Sequence, residues 1–159
     1  MIIRRFMEQD AQAVSDMIIK TLRVSNIKDY SASEIDEIAA HMQPEDIKKR
    51  AGWTHFYVGL DEDALVACGA IGPYWDSQEE SSLFTIFVDP DMQGQGVGRK
   101  IVETLEQDEY FLRATRVEIP ASITGVDFYR KMGYVFKEGG DQVDEEGLYR
   151  LEKNRTVKR

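Results

Sequence analysis

Three glycines at every second position, Gly94, Gly96 and Gly98, are the residues of this sequence whose spacing first indicates a role in binding or catalysis. An apolar, β-rich run over residues 83–88 precedes them, and apolar residues at helical spacing follow them. Glycine lets the backbone approach a ligand closely and take dihedral angles that a Cβ forbids. The first turn of the helix leaves N–H groups unpartnered, and these favour an anion together with the helix dipole. The stretch therefore predicts a site for a phosphate or pyrophosphate group.

Two familiar phosphate-binding patterns fit this turn poorly. A P-loop requires GxxxxGK followed by Ser or Thr, but Arg99 stands at the second glycine position and Ile101 follows Lys100. The dinucleotide fingerprint requires GxGxxG, whereas the spacing here is GxGxG. Glu118 does lie where a ribose-binding acid is expected. A dinucleotide-binding oxidoreductase therefore stays open as an alternative.

A third pattern fits the glycine turn better. Residues 93–98 read Gln-Gly-Gln-Gly-Val-Gly, which matches Gln/Arg-x-x-Gly-x-Gly/Ala and so resembles the acetyl-CoA signature of the GNAT superfamily of N-acetyltransferases. The resemblance implies that the strand before the turn splays from its neighbour and exposes backbone groups to the pantetheine arm. It also implies that the following residues bind acetyl-CoA: Ile86, Phe87, Val88, Gln93, Gly94, Gln95, Gly96, Val97, Gly98, Arg99, Ser122 and Thr124.

A second segment, residues 122–134, is similar to another motif of that superfamily. Phe128-Tyr129 followed by Gly133-Tyr134 matches its second half. The first half departs, because Ser122 stands where asparagine is usual and glycine replaces the usual alanine at position 125. The Ser-Ile-Thr of residues 122–124 resembles a branch in which Ser-x-Thr replaces the asparagine.

Acetyl transfer from a thioester to an amine needs a neutral amine, a polarised carbonyl and a proton for the departing thiolate. The resemblance implies that Tyr129 supplies the proton and that the backbone N–H of Val88 polarises the carbonyl. It supplies no base, because residues 81–82 are serines where some members carry a glutamate. Glu80 and Glu118 are the candidate bases, and the alternative is that the small neutral fraction of the amine enters without one.

For the other candidate residues, ordinary packing is an alternative to a functional role. Tyr30, Tyr74 and Trp75 lie in predicted loops near the acceptor entrance of the superfamily, and they either bind the acceptor or pack in the core or rim. Cys68 lies in an apolar strand and is expected to be a buried small hydrophobe. One cysteine excludes an internal disulfide, and the two histidines predict no metal site.

Composition predicts a single domain over residues 1–159 with a sizeable core. The net charge of −9 argues against nucleic acid and favours cationic partners such as amines. The sequence shows neither an apolar run of membrane-spanning length nor the apolar core of a signal peptide. We therefore expect a cytoplasmic protein without a membrane partner, acting on a small-molecule or peptide amine, with a homodimer left open.

Apolar periodicity and turn residues predict the elements that position these groups. Helices are predicted after Asp10 as a cap, from Ser31 or Ser33 with Glu34 at capping-box spacing, and around Pro44 with the basic run of residues 48–50 near its end. Further helices are predicted from the glycine turn to about residue 107 and around residues 128–132, ending at Gly133. Strands are predicted at residues 2–6, 55–60, 64–72, 83–88, 114–120, 134–137 and 148–151, before a frayed basic tail over residues 153–159. This order predicts an α/β fold of the GNAT type: a mixed, mostly antiparallel sheet of about seven strands, splayed after the fourth, with helices on both faces.

The sequence thus leads to the hypothesis of an acetyl-CoA-dependent N-acetyltransferase. It would transfer the acetyl group directly, in a ternary complex and without a metal, to a primary amine of a small molecule or peptide. The main alternative is a non-catalytic acyl-CoA-binding or sensor domain of the same fold, which would release no CoA with any amine.

Overall fold

The computed structural model describes residues 1–157. Within them the chain forms seven strands and six α-helices. The strands are β1 (Ile2–Arg5), β2 (His55–Asp61), β3 (Ala64–Pro73), β4 (Glu80–Val88), β5 (Arg116–Ser122), β6 (Val135–Phe136) and β7 (Leu148–Asn154). The helices are α1 (Ala11–Val24), α2 (Ala32–Ala40), α3 (Pro44–Trp53), α4 (Val97–Leu105), α5 (Glu109–Leu112) and α6 (Val126–Lys131).

The strands form one mixed sheet in the order β1-β2-β3-β4-β5-β7-β6. Its neighbouring strands are antiparallel except β4 and β5, which run parallel. The parallel pairing covers three rungs and ends where Ser82 meets Glu118. Residues 83–88 of β4 therefore have no partner strand on the β5 side, and we call the space between them and residues 119–122 the β4–β5 gap. The predicted sheet and its splay after the fourth strand are confirmed.

Helices cover both faces of the sheet. Successive strand residues point to opposite sides, so the strands present apolar side chains to helices on each face. On the first face, called the α3 face, Ile18 and Ile47 pack with Phe56, Cys68 and Ala70. On the opposite face, called the α4 face, buried residues of α4, α5 and α6 pack against the sheet. The helices contribute Val97, Ile101, Val102, Leu105, Phe111 and Tyr129. The strands contribute Ala67, Ile71, Leu83, Val117 and Ile119. The two faces of the sheet thus carry separate apolar clusters.

The start of β4 differs from the prediction. The strand begins at Glu80 rather than at residue 83, because Ser81 and Ser82 pair with β3 on one side and β5 on the other. Both serines are buried, and the hydroxyl of Ser81 donates a hydrogen bond to the carbonyl oxygen of Tyr110 at 2.7 Å. Hydrogen bonding lets a polar residue lie inside a sheet, which apolar patterning alone misses.

Helix starts were predicted with mixed success. Ser31 forms the expected capping box with Glu34, each side chain pairing with the other residue's backbone N–H. Asp10 was expected to cap α1, but its carboxylate instead accepts hydrogen bonds from Arg4 and from the backbone N–H of Met7. That pairing holds the pKa of Asp10 below its usual value.

The C-terminal segment was predicted to fray from residue 153, and this is wrong for its first residues. Strand β7 continues to Asn154 alongside β5. Arg155 then donates to the carbonyl oxygens of Phe111 at 2.8 Å and Ala114 at 2.9 Å. Residues 158–159 of the predicted tail lie outside the described residues. Along residues 1–157, no helix combines the length and apolarity that crossing a membrane requires.

Candidate active site

The end of β4 turns its backbone groups into the β4–β5 gap. The N–H of Asp89 donates to the carbonyl of Val66, and the next pair along the ladder is Val88 opposite Ala67. Hydrogen-bonded and non-hydrogen-bonded pairs alternate in an antiparallel ladder, so the N–H and carbonyl of Val88 point away from β3. The Val88 carbonyl accepts from the side chains of Thr21 and Gln93. The N–H of Val88 therefore faces the gap, as its predicted role requires.

A β-bulge distorts β4 three residues earlier. Cys68 pairs with Phe87 and Ala70 pairs with Phe84, so two β4 residues, Thr85 and Ile86, lie opposite the single residue Gly69. Thr85 has a φ of 54°, in the left-handed region that β-branched residues avoid. Such strain often accompanies a functional site. The bulge lies in the unpaired half of β4, beside the gap.

The glycine turn has the geometry of an anion cradle. Gly94 and Gly96 have φ values of 79° and 80°, and a Cβ at either position would meet no atom within 4 Å. Gly96 is the N-cap of α4 and supplies no side-chain cap, so the first N–H groups of the helix stay open. Gly98 plays a different part, because a Cβ there would lie 3.3 Å from the ring of Phe128. The open space and free amides fit the pyrophosphate that the sequence implied.

The side chains of the turn are partly engaged by the protein itself. Gln93 donates to the hydroxyl of Ser25 and to the carbonyl of Val88, so it ties the turn to the C-terminus of α1 and to the end of β4. Gln95 donates to the carbonyl of Asp91 at 3.4 Å. Val97 is buried in the core, whereas Arg99 is exposed. The free ligand-binding groups of the turn are thus its amides and the Arg99 side chain.

Ser122, Gly125 and Tyr129 meet where β5 leads into α6. The hydroxyl of Ser122 accepts a hydrogen bond from the N–H of Gly125 at 3.0 Å. A Cβ on Gly125 would lie 3.2 Å from both the Ser122 hydroxyl and the Tyr129 ring. The glycine that replaces the alanine of the GNAT pattern therefore fits this close approach, and a Cβ there would require its neighbours to move by a few tenths of an ångström. Thr124 lies one residue before, and its hydroxyl donates to Asp29 at 2.7 Å.

Tyr129 lies on α6, and its side chain packs next to the turn that leads from β5. Its ring is buried, and burial raises its pKa, with a further contribution from Cys68. The Tyr129 ring packs in the cluster on the α4 face and lies close to Gly125, just after the end of β5. Its hydroxyl makes no hydrogen bond within residues 1–157, and the oxygen is not sealed from solvent. A raised pKa keeps that proton available at neutral pH.

The two candidate bases lie in less favourable places. Glu118 stands at the last β4–β5 rung and is buried, and its carboxylate pairs with Arg116, with Lys137 at 2.8 Å and with Arg150 at 3.8 Å. Glu80 begins β4, eight residues before Val88, which is about 26 Å along an extended strand. It pairs with Arg116 at 3.6 Å. Glu118 is thus near the gap but engaged, and Glu80 is remote from it.

The three candidate acceptor residues do not come together. Tyr30 is buried, and its hydroxyl donates to the carbonyl of Gly147 and accepts from the N–H of Ile123, which holds the β5–α6 turn. Tyr74 and Trp75 lie in the β3–β4 turn, at the paired end of β4. Tyr30 therefore supports the β5–α6 turn near the site. Tyr74 and Trp75 lie near the start of β4, at the opposite end of that strand from Val88.

The sequence reasoning missed Arg50, which reaches the bulge from α3. Its Nη1 donates to the hydroxyl of Thr85 at 3.1 Å. The run of basic residues that contains Arg50 was interpreted only as charge at the end of a helix. The signal that would have found it is helical phase, because Arg50 lies three residues after the buried Ile47 and so shares its face.

Comparison with known protein families gives one match. The family model described as an acetyltransferase (GNAT) domain matches residues 26–151 of this chain. This range includes the glycine turn, Ser122 and Tyr129. A comparison with curated protein sequences gives no significant match.

Solved structures of similar fold include several acetyltransferases. The PaiA N-acetyltransferase of Thermoplasma acidophilum, crystallised with coenzyme A, has a TM-score of 0.81 at 12% identity, over 97% of this chain and 98% of that one. A GCN5-related N-acetyltransferase of Rhodopseudomonas palustris has a TM-score of 0.78 at 18% identity, over 97% and 95% of the two chains. An aminoglycoside 6′-N-acetyltransferase, also with coenzyme A, has a TM-score of 0.65 at 18% identity, over 97% of each chain. At these identities the similarity shows a shared fold.

Proposed function

Since the chain belongs to the GNAT acetyltransferase family, we propose that it transfers an acetyl group from acetyl-CoA directly to a primary amine of a small molecule or peptide. The single observation that carries this proposal is the unpaired half of β4, where the N–H of Val88 faces the β4–β5 gap. The open amides of α4 follow this strand in the chain, and the unpartnered hydroxyl of Tyr129 belongs to α6, which follows β5.

The glycine turn would hold the diphosphate of the co-substrate. The free amides at the start of α4 and the positive end of its dipole attract an anion. The exposed Arg99 adds a positive charge in a protein of net charge −9. The gap then leaves the edge of β4 available for hydrogen bonds to the amide groups of the pantetheine arm, and Ser122 lies across from it on β5.

Two groups of the chain would act on the reacting bonds. Acetyl-CoA supplies an activated acyl group, whose C–S bond breaks as the amine nitrogen forms the new C–N bond. The N–H of Val88 donates to the carbonyl oxygen as negative charge develops there. Tyr129 donates its proton to the departing sulfur and regains one from solvent. The proton lost by the amine nitrogen passes to solvent.

Neither candidate glutamate is needed for this chemistry. The carboxylate of Glu118 is held by cations, and Glu80 lies at the paired end of β4. A free alkyl amine has a pKa near 10, so a small fraction is neutral at physiological pH and can attack directly. We therefore propose that the amine enters in its neutral form.

The test is release of free CoA from acetyl-CoA with a panel of amines, each checked for an acetylated product by mass spectrometry. Amine-dependent release with one acetyl group added per CoA is the expected result. Tight binding of acetyl-CoA without release by any amine supports the non-catalytic sensor instead. Protection of the fold against heat by NAD but not by CoA supports the dinucleotide-binding alternative.

A further inference from the structure

Arg50 is a half-buried arginine with an unused hydrogen-bonding edge. Its Nη1 donates to the hydroxyl of Thr85, and among residues 1–157 its Nε and Nη2 have no protein partner. Neither atom is sealed from solvent, since the only buried orphan of the described side chains is Nε of Arg113. A guanidinium presents its donors in a planar fork that matches a carboxylate. The free edge of Arg50 is thus available to a ligand.

Arg50 is among the described arginines that form no ion pair, whereas several others pair with carboxylates. Arg4 and Arg150 pair with Asp10 and Asp144, and Arg116 pairs with glutamates. Arg50 forms no ion pair within the described residues, although the chain has 29 acidic residues. Burial lowers its pKa, and the opposing influence of Asp46, one helical turn earlier on α3, does not cancel that effect. A half-buried charge that forms no ion pair is costly for a purely structural residue.

Arg50 lies close to the part of β4 that is proposed to take part in the reaction. Thr85, which it contacts, is the strained residue of the bulge and lies three residues before Val88. Arg50 approaches from the α3 face, whereas α4, which the glycine turn precedes, packs on the α4 face. A group bound at Arg50 would therefore lie across the sheet from the predicted diphosphate site, with the β4–β5 gap between them.

The surroundings of Arg50 fit the body of a small organic molecule. Trp53, one helical turn further along α3, is 51% exposed and packs edge-on against Phe84 with ring centroids 5.1 Å apart. The site thus offers one cation beside an apolar aromatic wall. One guanidinium neutralises the charge of one carboxylate, whereas a phosphate monoester carries close to two negative charges at neutral pH and would keep part of its charge unpaired.

We infer that Arg50 binds a carboxylate of the amine acceptor, so that the substrates are amines that also carry an acid group, such as amino acids or peptides. This inference rests on the proposed acetyltransferase function and narrows its acceptor class. Arg50 is then a specificity-determining residue, which selects the acceptor and fixes the direction from which the amine reaches the gap.

The experiment measures CoA release with ω-amino acids of increasing length, from glycine to 6-aminohexanoate, and with the matching amino amides. The amides keep the amine and lose the charge. We expect the acid of the best length to have a kcat/KM at least tenfold above that of its amide. Arg50→Gln should remove that preference mainly by raising KM, and Arg50→Lys should retain part of it. Lys49→Gln is the control, because it removes the same charge from an exposed position on the same helix.

A preference that persists in Arg50→Gln, or equal kcat/KM for acids and amides in the native chain, would overturn the inference while the acetyltransferase function stands. A preference for 2-aminoethyl phosphate over every acid would overturn the carboxylate assignment. If no amine releases CoA, calorimetric titration of the CoA-loaded chain with the N-acetylated acids and amides makes the same comparison, and equal affinities overturn the inference. Failure to bind acetyl-CoA at all would instead remove the proposed function.

Discussion

Two buried tyrosines of this chain differ in what their hydroxyls do. The hydroxyl of Tyr134 donates to Glu106 at 2.9 Å, and Lys153 lies over its ring. The hydroxyl of Tyr129 has no partner in the described part of the chain. A buried tyrosine normally finds a hydrogen-bond partner. The unpartnered hydroxyl of Tyr129 is therefore the feature that the proposed acid role would account for.

Replacing Tyr129 with Phe tests that role. We expect kcat to fall about 10²-fold, because a positioned acid typically contributes at least that much, while the Kd for acetyl-CoA stays nearly unchanged. Because burial raises the pKa of Tyr129, the hydroxyl keeps its proton in alkaline solution. The kcat of the native enzyme should thus show no fall between about pH 8 and 10, measured as initial rates of CoA release.

Tyr134→Phe is the matched control for that experiment. It removes a hydrogen bond from a buried tyrosine outside the gap, so it should lower the free energy of unfolding by about 1 kcal/mol and leave kcat unchanged. Equal kcat values for Tyr129→Phe and the native chain would exclude Tyr129 as the acid.

Single residues were predictable where a local motif carried them. The resemblance to a GNAT motif singled out Ser122 and Tyr129, and both side chains lie close to Gly125 in the structure. The ion pairs of Glu118 and the contact of Arg50 with Thr85 join segments far apart in the chain. The periodicity of apolar residues within one helix or strand cannot predict contacts between distant segments, so these contacts could be identified only from the folded structure.

The glycine turn illustrates how an element prepares a site. Gly94 and Gly96 take left-handed φ values in open space, whereas Gly98 and Gly69 are needed for close packing, since a Cβ on Gly69 would lie 2.7 Å from Ile101 of α4. A Cβ at Gly96 therefore meets no protein atom within 4 Å. It strains the backbone and occupies the space in front of the amides, so any loss of binding comes from those two effects and not from a clash with the protein itself.

We expect Gly96→Ala to lower the affinity for acetyl-CoA at least tenfold and the free energy of unfolding by about 1–2 kcal/mol, because an L-residue is disfavoured in the left-handed region. Gly139→Ala is the control, because Gly139 has a φ of 76° and equally open surroundings but lies in the loop after β6. It should cost similar stability and leave affinity unchanged. Calorimetric titration and urea unfolding give the two quantities. If both variants bind acetyl-CoA as the native chain does, the turn is not the diphosphate site.

Whole elements were predicted well where apolar periodicity was strong, and poorly where hydrogen bonds replaced it. The start of β4 was missed because Ser81 and Ser82 are polar. The short helix α5 was missed because it depends on a cap, the side chain of Asp108 accepting from the N–H of Tyr110 at 2.8 Å. The bulge at Thr85 has no sequence signal, since threonine is disfavoured at positive φ.

At the scale of the whole molecule, the sheet consists of two parts joined by few bonds. Strands β1 to β4 form one antiparallel part, and β5, β7 and β6 form the other. Three rungs at the start of β4 connect them. The open half of this seam is where the family resemblance places the pantetheine arm. The bound co-substrate would therefore substitute for the missing strand pairing along residues 83–88.

This substitution predicts where backbone amides gain protection. When CoA is present at 100 times its Kd, hydrogen exchange within residues 83–88 and 93–99 should slow by up to about 100-fold, because ligand binding suppresses local opening by that factor. Strand β2 provides the internal control at labelling times shorter than global unfolding, since β1 and β3 pair with both its edges and keep its amides protected with or without CoA. Mass spectrometry of peptic fragments measures both regions in one experiment. Protection confined to β2, or spread equally over the chain, would contradict binding in the gap, because a ligand elsewhere has no reason to protect the one strand segment that lacks a neighbour.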